Sequence, residues 1–492
     1  MESGQPVQVP ASPSSPSFAA SPRYLVLAAE VEAMIEAGTL RPGDRVPSLR
    51  ELSRRHGVSI PTALHAYTVL EDRRLVEARP KSGFYVRARL ASETEIPTVS
   101  RRTPSPRSLS RFAPLMALVE DVVNPRLVPM GGAIPGAAFL PVEKLARVTG
   151  SLARRNSAEI LRYDPPPGCL PLRREISRRS DAWGCYLQPD EFVLTNGATE
   201  ALHLALRAVA SPGQTVMVES PVYYGLLHIL ARLGLRAVAV PSSPRDGLVI
   251  DAVRKVLVRE KVAALVVSPN FCNPLGSLMP GGNREALLAL ATARRLPVIE
   301  DDIYGDLPHR GERPPCLKAL DRDGGIILCG SFSKTLAPGY RAGYVSGGRW
   351  HREILEARAA LSFGGSSLPC LAIAEVLRDG GYDRHLRRLR ATFRDQVLRM
   401  RDALAAALPP GSKISDPQGG FVLWIELPRK VDAMRLFQEA REAGISIAPG
   451  HLFSPVADYG NYIRISCGHP FNAAMEKAVV TLGKLARKMV GA

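Results

Sequence analysis

The sequence predicts an α/β protein with a largely parallel sheet and a smaller α+β subdomain at its C-terminal end, preceded by a separate small helical domain. Three observations lead there. Beyond about residue 126, short apolar runs alternate with segments of helical period, as in parallel strands joined by crossover helices. Before residue 90, three helical patterns are followed by two short apolar runs around a basic tip. Between these regions, residues 89–125 lack sustained periodicity and contain the basic, Pro/Ser-rich stretch Arg101-Arg102-Thr103-Pro104-Ser105-Pro106-Arg107, which marks a linker. A chain of 492 residues is also too long for a single hydrophobic core. The expected division is a disordered lead-in over 1–22, the helical domain over 23–88, the linker over 89–125 and the α/β domain over 126–492.

Composition narrows the function classes. Met1 to Pro22 is rich in Ser, Pro and Ala but has neither a basic leader nor an apolar h-region, so it is not expected to be a signal peptide. No run of about 18 apolar residues is present, so no membrane span or membrane partner is expected. Seven cysteines without a C-x-x-C pair suit a reducing cytoplasm, with no disulfide framework and no metal site. A formal net charge of +17 favours a polyanionic partner. Residues 41–89 carry eleven Lys/Arg against five Asp/Glu, yet most of the excess lies beyond residue 125. The arginine-rich segment Arg384 to Arg401 has a helical apolar pattern, so it reads as a solvated or dimer-facing helix.

In the first domain, Leu27, Val31, Met34 and Ile35 recur at helical spacing and Gly38 closes the segment. Pro42-Gly43-Asp44 makes a turn. Ser48-Leu49-Arg50-Glu51 has capping-box spacing before a short helix that ends at Gly57. Ser59 can cap a third helix, with Pro61 in its permissive first turn and Ala63, Ala66, Tyr67 and Leu70 on the inner face. Leu75 to Ala78 and Gly83 to Val86 then read as strands flanking Arg79-Pro80-Lys81-Ser82, a basic hairpin tip. The order is that of a winged helix-turn-helix. Arg50 and Lys81 can meet phosphates, while Thr62 and His65 lie on the outer face of the recognition helix.

This stretch of about 65 residues resembles the DNA-binding domain of GntR-type transcription regulators. The likeness runs through Gly38 to Leu52, Gly57-Val58-Ser59, Ala66-Tyr67-x-x-Leu70-Glu71 and Ser82-Gly83. It implies double-stranded operator DNA as partner, contacted from Ser48, Arg50, Ser59, Thr62, His65, Lys81 and Gly83, with Gly83 allowing close approach to the minor groove. Family members often carry a basic residue just after the serine; here Ile60 and Pro61 follow Ser59.

In the second domain, strands are expected over 191–195, 214–219, 236–240, 262–268, 297–301, 326–330 and 341–346, with helices between them such as 284–293. The subdomain from about 380 opens with a long helix. It continues with apolar runs over 420–427, 445–448 and 462–466 and a closing helix.

One loop organises the chemistry. Gly330-Ser331-Phe332-Ser333-Lys334 follows the apolar run Ile326 to Cys329, and Arg341 returns seven residues after the lysine. A desolvated lysine near positive charge loses its proton readily and can form a Schiff base with an aldehyde. Ser331, Ser333 and Arg341 can hold an anion, such as the phosphate of pyridoxal 5'-phosphate. The alternative is a surface loop with a solvated lysine.

Several ordered motifs reduce that alternative, and with them residues 126 to 485 resemble the fold type I pyridoxal-phosphate enzymes, specifically the class I/II aminotransferases. Asn196-Gly197-Ala198-Thr199 enters a helix, so Ala198 and Thr199 are expected at the cofactor phosphate. Pro221-Val222-Tyr223 resembles the segment whose aromatic stacks on the pyridine ring. Asn273-Pro274-Leu275-Gly276 resembles the family's Asn-Pro-Thr-Gly, whose asparagine bonds the ring hydroxyl. Glu300-Asp301-Asp302-Ile303-Tyr304 supplies Asp301 for the pyridine nitrogen and Tyr304 for the ring hydroxyl. Tyr163, in Tyr163-Asp164-Pro165-Pro166-Pro167-Gly168, resembles the tyrosine that reaches the neighbouring subunit's cofactor, which implies a homodimer. Arg464 matches the arginine that clamps an α-carboxylate.

Together the two halves resemble the MocR-type subgroup of GntR regulators. The resemblance implies a cytoplasmic homodimeric transcription regulator in which pyridoxal 5'-phosphate forms an internal aldimine at Lys334, and an amino acid or amine effector exchanges onto it as an external aldimine. Arg464 would hold the effector's carboxylate. Two other readings stand beside this one: a functional aminotransferase carrying a DNA-binding domain, and a sensor of the cofactor itself.

Overall fold

The computed structural model describes residues 22–41, 43–73, 75–79, 82–87, 95–100, 103–107, 113–156, 158, 160–456 and 458–491. The expected lead-in, except Pro22, lies outside these residues, as do Lys81 and parts of the expected linker. The chain divides into two compact units, with the break between residues 93 and 94.

The first unit is built as its caps dictate. Helix α1 (Arg23–Glu36) is followed by α2 (Leu49–His56) and α3 (Ile60–Asp72), and then by the antiparallel hairpin β1 (Val76–Arg79) and β2 (Gly83–Val86). The Ser48 side chain accepts from the Glu51 backbone N–H at the start of α2, and Gly57 closes that helix in the left-handed conformation at φ +61°. The Ser59 hydroxyl accepts from the Thr62 N–H and so caps α3. Leu27, Val31, Leu52, Ala66, Tyr67, Leu70 and Val86 form the buried core that holds the three helices and the hairpin together.

The second unit carries an eight-stranded sheet. Its strands, in spatial order, are Phe192–Thr195, Gly343–Ser346, Ile326–Ser331, Val298–Asp301, Val262–Val267, Thr215–Ser220, Arg236–Ser243 and Gly247–Leu248. Five adjacent strands, Ile326–Ser331 through Arg236–Ser243, are parallel, whereas Gly343–Ser346 runs antiparallel to both of its neighbours. That reversal follows from the short connection after the lysine loop, which cannot make a parallel crossover. The strands alternate between two cores. Val216, Val218, Ile299 and Ile327 pack with helix Ala198–Val209, and Met217, Leu265, Val298 and Ile326 pack with helices Ile250–Arg259 and Gly281–Arg294 on the other face. Sealed on both faces, the sheet leaves its strand ends as the place for a ligand.

The C-terminal subdomain has an antiparallel sheet in the order Lys413–Ile414, Val422–Glu426, Tyr462–Ser466, Ala448–Pro449. Helices Gly381–Ala407, Ala433–Glu442 and Ala473–Gly491 accompany it. The run expected as one strand over 445–448 serves two sheets. Ile445–Ser446 pairs in parallel with Val128–Pro129, while Ala448–Pro449 pairs with Tyr462–Ser466. All four residues of the run are buried, so no polar alternation assigned them to a single sheet face.

Much of the interval expected as a linker belongs to this second unit. Glu95 O accepts from the Ile414 N–H, and Thr98 bonds the Glu426 carboxylate and the Tyr462 hydroxyl. Arg107 forms a backbone bridge to Ala237. Helix α4 (Ala113–Val123) buries Leu118 in a cluster with Trp424 and Phe453, and Asp121 accepts from Arg441 Nε at 2.7 Å.

Candidate functional site

The parallel strands Val298–Asp301 and Val262–Val267 end on the edge where Ile326–Ser331 delivers the lysine loop. There the chain forms a cavity of about 80 Å3 that is partly open to solvent. Ala198, Thr199, Tyr223, Asn273, Asp301, Tyr304, Ser333, Lys334 and Arg341, all expected from the sequence, line it together with Leu202, Ser268 and Ile303.

The lysine sits in a field that favours its neutral form. Burial, then the positive charges of Arg464 and Arg341, pull the Lys334 ammonium down to about 8, against the opposing charge of Asp301. Its Nζ donates to Ala133 O at 2.6 Å. The Asp301 carboxyl is pushed up to about 7 by burial and by the neighbouring Asp302, with Lys334 and the Ile303 N–H acting the other way. Asp302 itself faces away from the cavity, where it accepts from Asn270 Nδ2 and pairs with Arg313.

Three buried polar atoms here have no hydrogen-bond partner among the described residues: Asp301 Oδ1, Tyr304 Oη and Arg464 Nε. Leaving such atoms unpaired is costly, and together they form a template for a polar ligand. Arg464 is fully buried on strand Tyr462–Ser466. It donates to Gly131 O and, from Nη1, to Asn273 Oδ1 at 3.4 Å, and its guanidinium lies 5.5 Å from the Phe453 ring centroid.

An anion cup closes one end. Helix Ala198–Val209 begins at Gly197, which lies at φ +87° and provides no side-chain cap. A Cβ there would come within 2.4 Å of Arg341 Nη2, so only glycine lets the arginine lie against the helix start. Arg341 donates to Asn196 O at 2.8 Å and to Ser333 Oγ at 3.3 Å. Ser331 supports this arrangement from behind rather than lining the cavity: its hydroxyl donates to Ala342 O and lies 2.8 Å from Ser333 Oγ. A helix N-terminus, a hydroxyl and a guanidinium at one point suit a phosphate.

These features fit the cofactor expected from the sequence. The cup suits its phosphate, the half-buried Tyr223 bonded to Thr199 provides a ring face, and unpaired Asp301 Oδ1 and Tyr304 Oη suit its ring nitrogen and hydroxyl. Tyr163 is not at this cavity. It is 86% exposed and, among the described residues, meets the Phe363 ring edge-to-face at 5.6 Å.

Sequence reasoning missed the backbone acceptors Gly131 O and Ala133 O, which carry no residue-type signal. It also missed Ser268 and Glu219. Ser268 follows a strand end, a position that was itself a usable signal. The buried Glu219 carboxyl accepts from the Ser268 N–H at 2.8 Å and from Cys272 Sγ, and burial pushes it up to about 8.

In the first unit, Ser48, Arg50, Ser59 and His65 are exposed and Thr62 is half-buried. The hydroxyls of Ser59 and Thr62 lie 2.8 Å apart. His65 stacks on Tyr24 with ring centroids 3.9 Å apart and planes 8° from parallel. Gly83 lies at φ +106°, and a Cβ there would press against the Arg45 guanidinium. The expectation for Lys81 falls outside the described residues.

Comparison with known proteins gives two family matches. Residues 139–482 match the aminotransferase class I and II family, and residues 23–86 match the gntR family of bacterial regulatory proteins. The chain is 33% identical over 462 residues to the uncharacterized HTH-type transcriptional regulator YjiR of Escherichia coli strain K12, covering 94% of this chain and 98% of that protein. It is 30% identical over 371 residues to a 2-aminoadipate transaminase of Thermus thermophilus, covering 75% and 92% of the two chains. The crystal structure of LysN, the alpha-aminoadipate aminotransferase of Thermus thermophilus complexed with N-(5'-phosphopyridoxyl)-L-leucine, superposes with a TM-score of 0.72 at 28% identity. That match covers 77% of this chain and 95% of the other. Among the described residues, no helix is long and apolar enough to cross a membrane.

Proposed function

The chain belongs to the gntR family of bacterial regulatory proteins in its MocR-type pattern, a DNA-binding helix-turn-helix fused to a class I/II aminotransferase domain, and from that premise we propose that it senses an amino acid. Its cofactor is pyridoxal 5'-phosphate. When bound, the cofactor supplies an aldehyde carbon that exchanges reversibly between the lysine and free amines.

The protein's residues would provide the rest. The Arg341–Ser333 cup and the start of helix Ala198–Val209 would hold the phosphate. Asp301 would hold a proton at the ring nitrogen, and Tyr304 and Asn273 would orient the ring hydroxyl. Lys334, lowered to about 8 by burial and two arginines, would present far more uncharged amine near neutral pH than an ordinary lysine. Arg464 would take the effector's carboxylate, with its unpaired Nε already free to donate. That last observation carries the proposal furthest, because a fully buried guanidinium with an idle donor beside the lysine suits a ligand bearing both an amine and a carboxylate.

Effector binding would bias the DNA affinity of the amino-terminal unit. We place the protein in the cytoplasm, where operator DNA is available, and as a homodimer. Exposed Leu161 and Tyr163 with half-exposed Phe363 suit burial against a second copy, from which Tyr163 could reach the other subunit's phosphate cup.

A second reading, an aminotransferase that carries a DNA-binding domain, is supported by the cavity's lining, in which Lys334, Asp301, Tyr304 and Arg341 come together. Footprinting of the purified protein on DNA upstream of its own gene, with and without amino acids, tests the regulator. A footprint altered by an amino acid supports it; rapid turnover with an amino acid and a 2-oxo acid, without a footprint, supports the enzyme.

A further inference from the structure

The exposed start of α3 offers the DNA something other than the usual donors. In a helix-turn-helix, the first residues of the second helix meet base edges in the major groove. Here the two hydroxyls at that end are already engaged, and the histidine is held by its ring face. The hydroxyls of Ser59 and Thr62 share the helix cap, and the His65 ring is stacked on Tyr24 of α1. Ala63, Ala66, Tyr67 and Leu70 fix the opposite face in the core. What remains outermost is apolar: Ile60 is 48% exposed and Leu64 45% exposed, with exposed Pro61 beside them.

Ile60 and Leu64 are four residues apart and so form one ridge along the helix. Neither can donate or accept a hydrogen bond. The surroundings are cationic, with exposed Arg50, Arg54 and Arg55 on α2 and exposed Arg79 on the hairpin, which lies over the Tyr85 ring at 4.3 Å and pairs with Glu77 at 2.9 Å. Such charges suit phosphates on either side of a groove, not an apolar protein partner. In the major groove, the one base feature an apolar side chain can recognise is the thymine 5-methyl group.

We propose that Ile60 and Leu64 are specificity determinants that read thymine methyl groups in each operator half-site, while the arginines of α2 and the hairpin supply the sequence-independent affinity. This rests on the assignment of the first unit as DNA-binding.

The test uses the full-length protein and a random duplex pool. Duplexes enriched by the wild type are resynthesised with deoxyuridine replacing one thymine at a time, which removes only the methyl group. At one or two half-site positions, binding should weaken about fourfold per methyl, the fold-change expected from burying one such group. Ile60→Ala and Leu64→Ala should each abolish that sensitivity at one position. Both positions are solvent-exposed, so circular dichroism should show folded variants. The dependence of affinity on salt should be unchanged, because no phosphate contact is removed. Indifference to deoxyuridine at every thymine would overturn the proposal, as would variants that bind more weakly yet keep the wild-type methyl discrimination. A wild type that enriches no sequence at all would instead overturn the DNA-binding assignment on which it rests.

Discussion

Arg464 Nη1 donates to Asn273 Oδ1 across 3.4 Å, tying a strand of the small subdomain's sheet to the loop that carries the cavity's asparagine. A ligand carboxylate captured by Arg464 must therefore act on both elements at once.

Arg464→Lys keeps the charge but replaces a planar fork with a single ammonium. Its affinity for α-amino acids should fall about ten- to a hundredfold, or ~1.4–2.8 kcal/mol. Amines without a carboxylate should bind as they do to wild type. Spectral titration of the holoprotein with an amino acid and its decarboxylated counterpart checks both. An equal loss for the two ligands would show that Arg464 does not meet the carboxylate.

The pH dependence has a definite sign. Lys334 is lowered to about 8, so the fraction of uncharged amine rises as pH passes through that value. The rate at which the cofactor-free protein captures pyridoxal 5'-phosphate should rise with it. Asp301 acts to raise the lysine's value, so Asp301→Asn should move the midpoint lower. Arg464 acts to lower it, so Arg464→Gln should move the midpoint higher. Stopped-flow capture rates between pH 6 and 10 read all three, and midpoints that move together would contradict the assignment.

Gly197→Ala tests the anion cup. The new Cβ would fall within 2.4 Å of Arg341 Nη2, at a backbone φ of +87°. With ψ at 174° this is a backbone region that glycine alone adopts readily, so strain alone costs about 1–3 kcal/mol of stability. Displacement of the guanidinium should add at least a tenfold loss of cofactor affinity. Gly213→Ala is the control: it has a similar φ of +85° with nothing within 4 Å, so it should lose stability but keep the cofactor. Equilibrium dialysis with a thermal melt separates the two effects.

Much of the site could be read from residue types because its chemistry demands them. Lys334 needed small hydroxyl neighbours and a returning arginine, and Asp301 with Tyr304 needed the end of a strand, so each left a pattern of residues at fixed spacing. What escaped was carried by backbone or by distance. Gly131 O and Ala133 O hold Arg464 and Lys334 by carbonyl groups that every residue has. Ser331 was expected at the anion, but it is the last residue of its strand and its hydroxyl turns to Ala342 O and Ser333 Oγ, a choice set by the turn that follows and not by residue type. Helix α4 was obscured by the Pro- and Arg-rich stretch before it, although Leu115 and Leu118 pack against Trp424 and Phe453. His65 was legible as an outward residue, but its stacking on Tyr24 depends on a helix much earlier in the chain.

An amine at Lys334 should change DNA binding by the same chain. The most direct measurement is the dissociation constant of the holoprotein for a duplex from its own upstream region, with and without a saturating amino acid. It should be made for wild type and Lys334→Ala at fixed salt. The wild-type constant should change about fivefold or more, a coupling of at least ~1 kcal/mol, and that of Lys334→Ala, which should still bind the duplex, should not change. Wild-type DNA affinity that is indifferent to every amino acid tried, or a response that persists in Lys334→Ala, would contradict it.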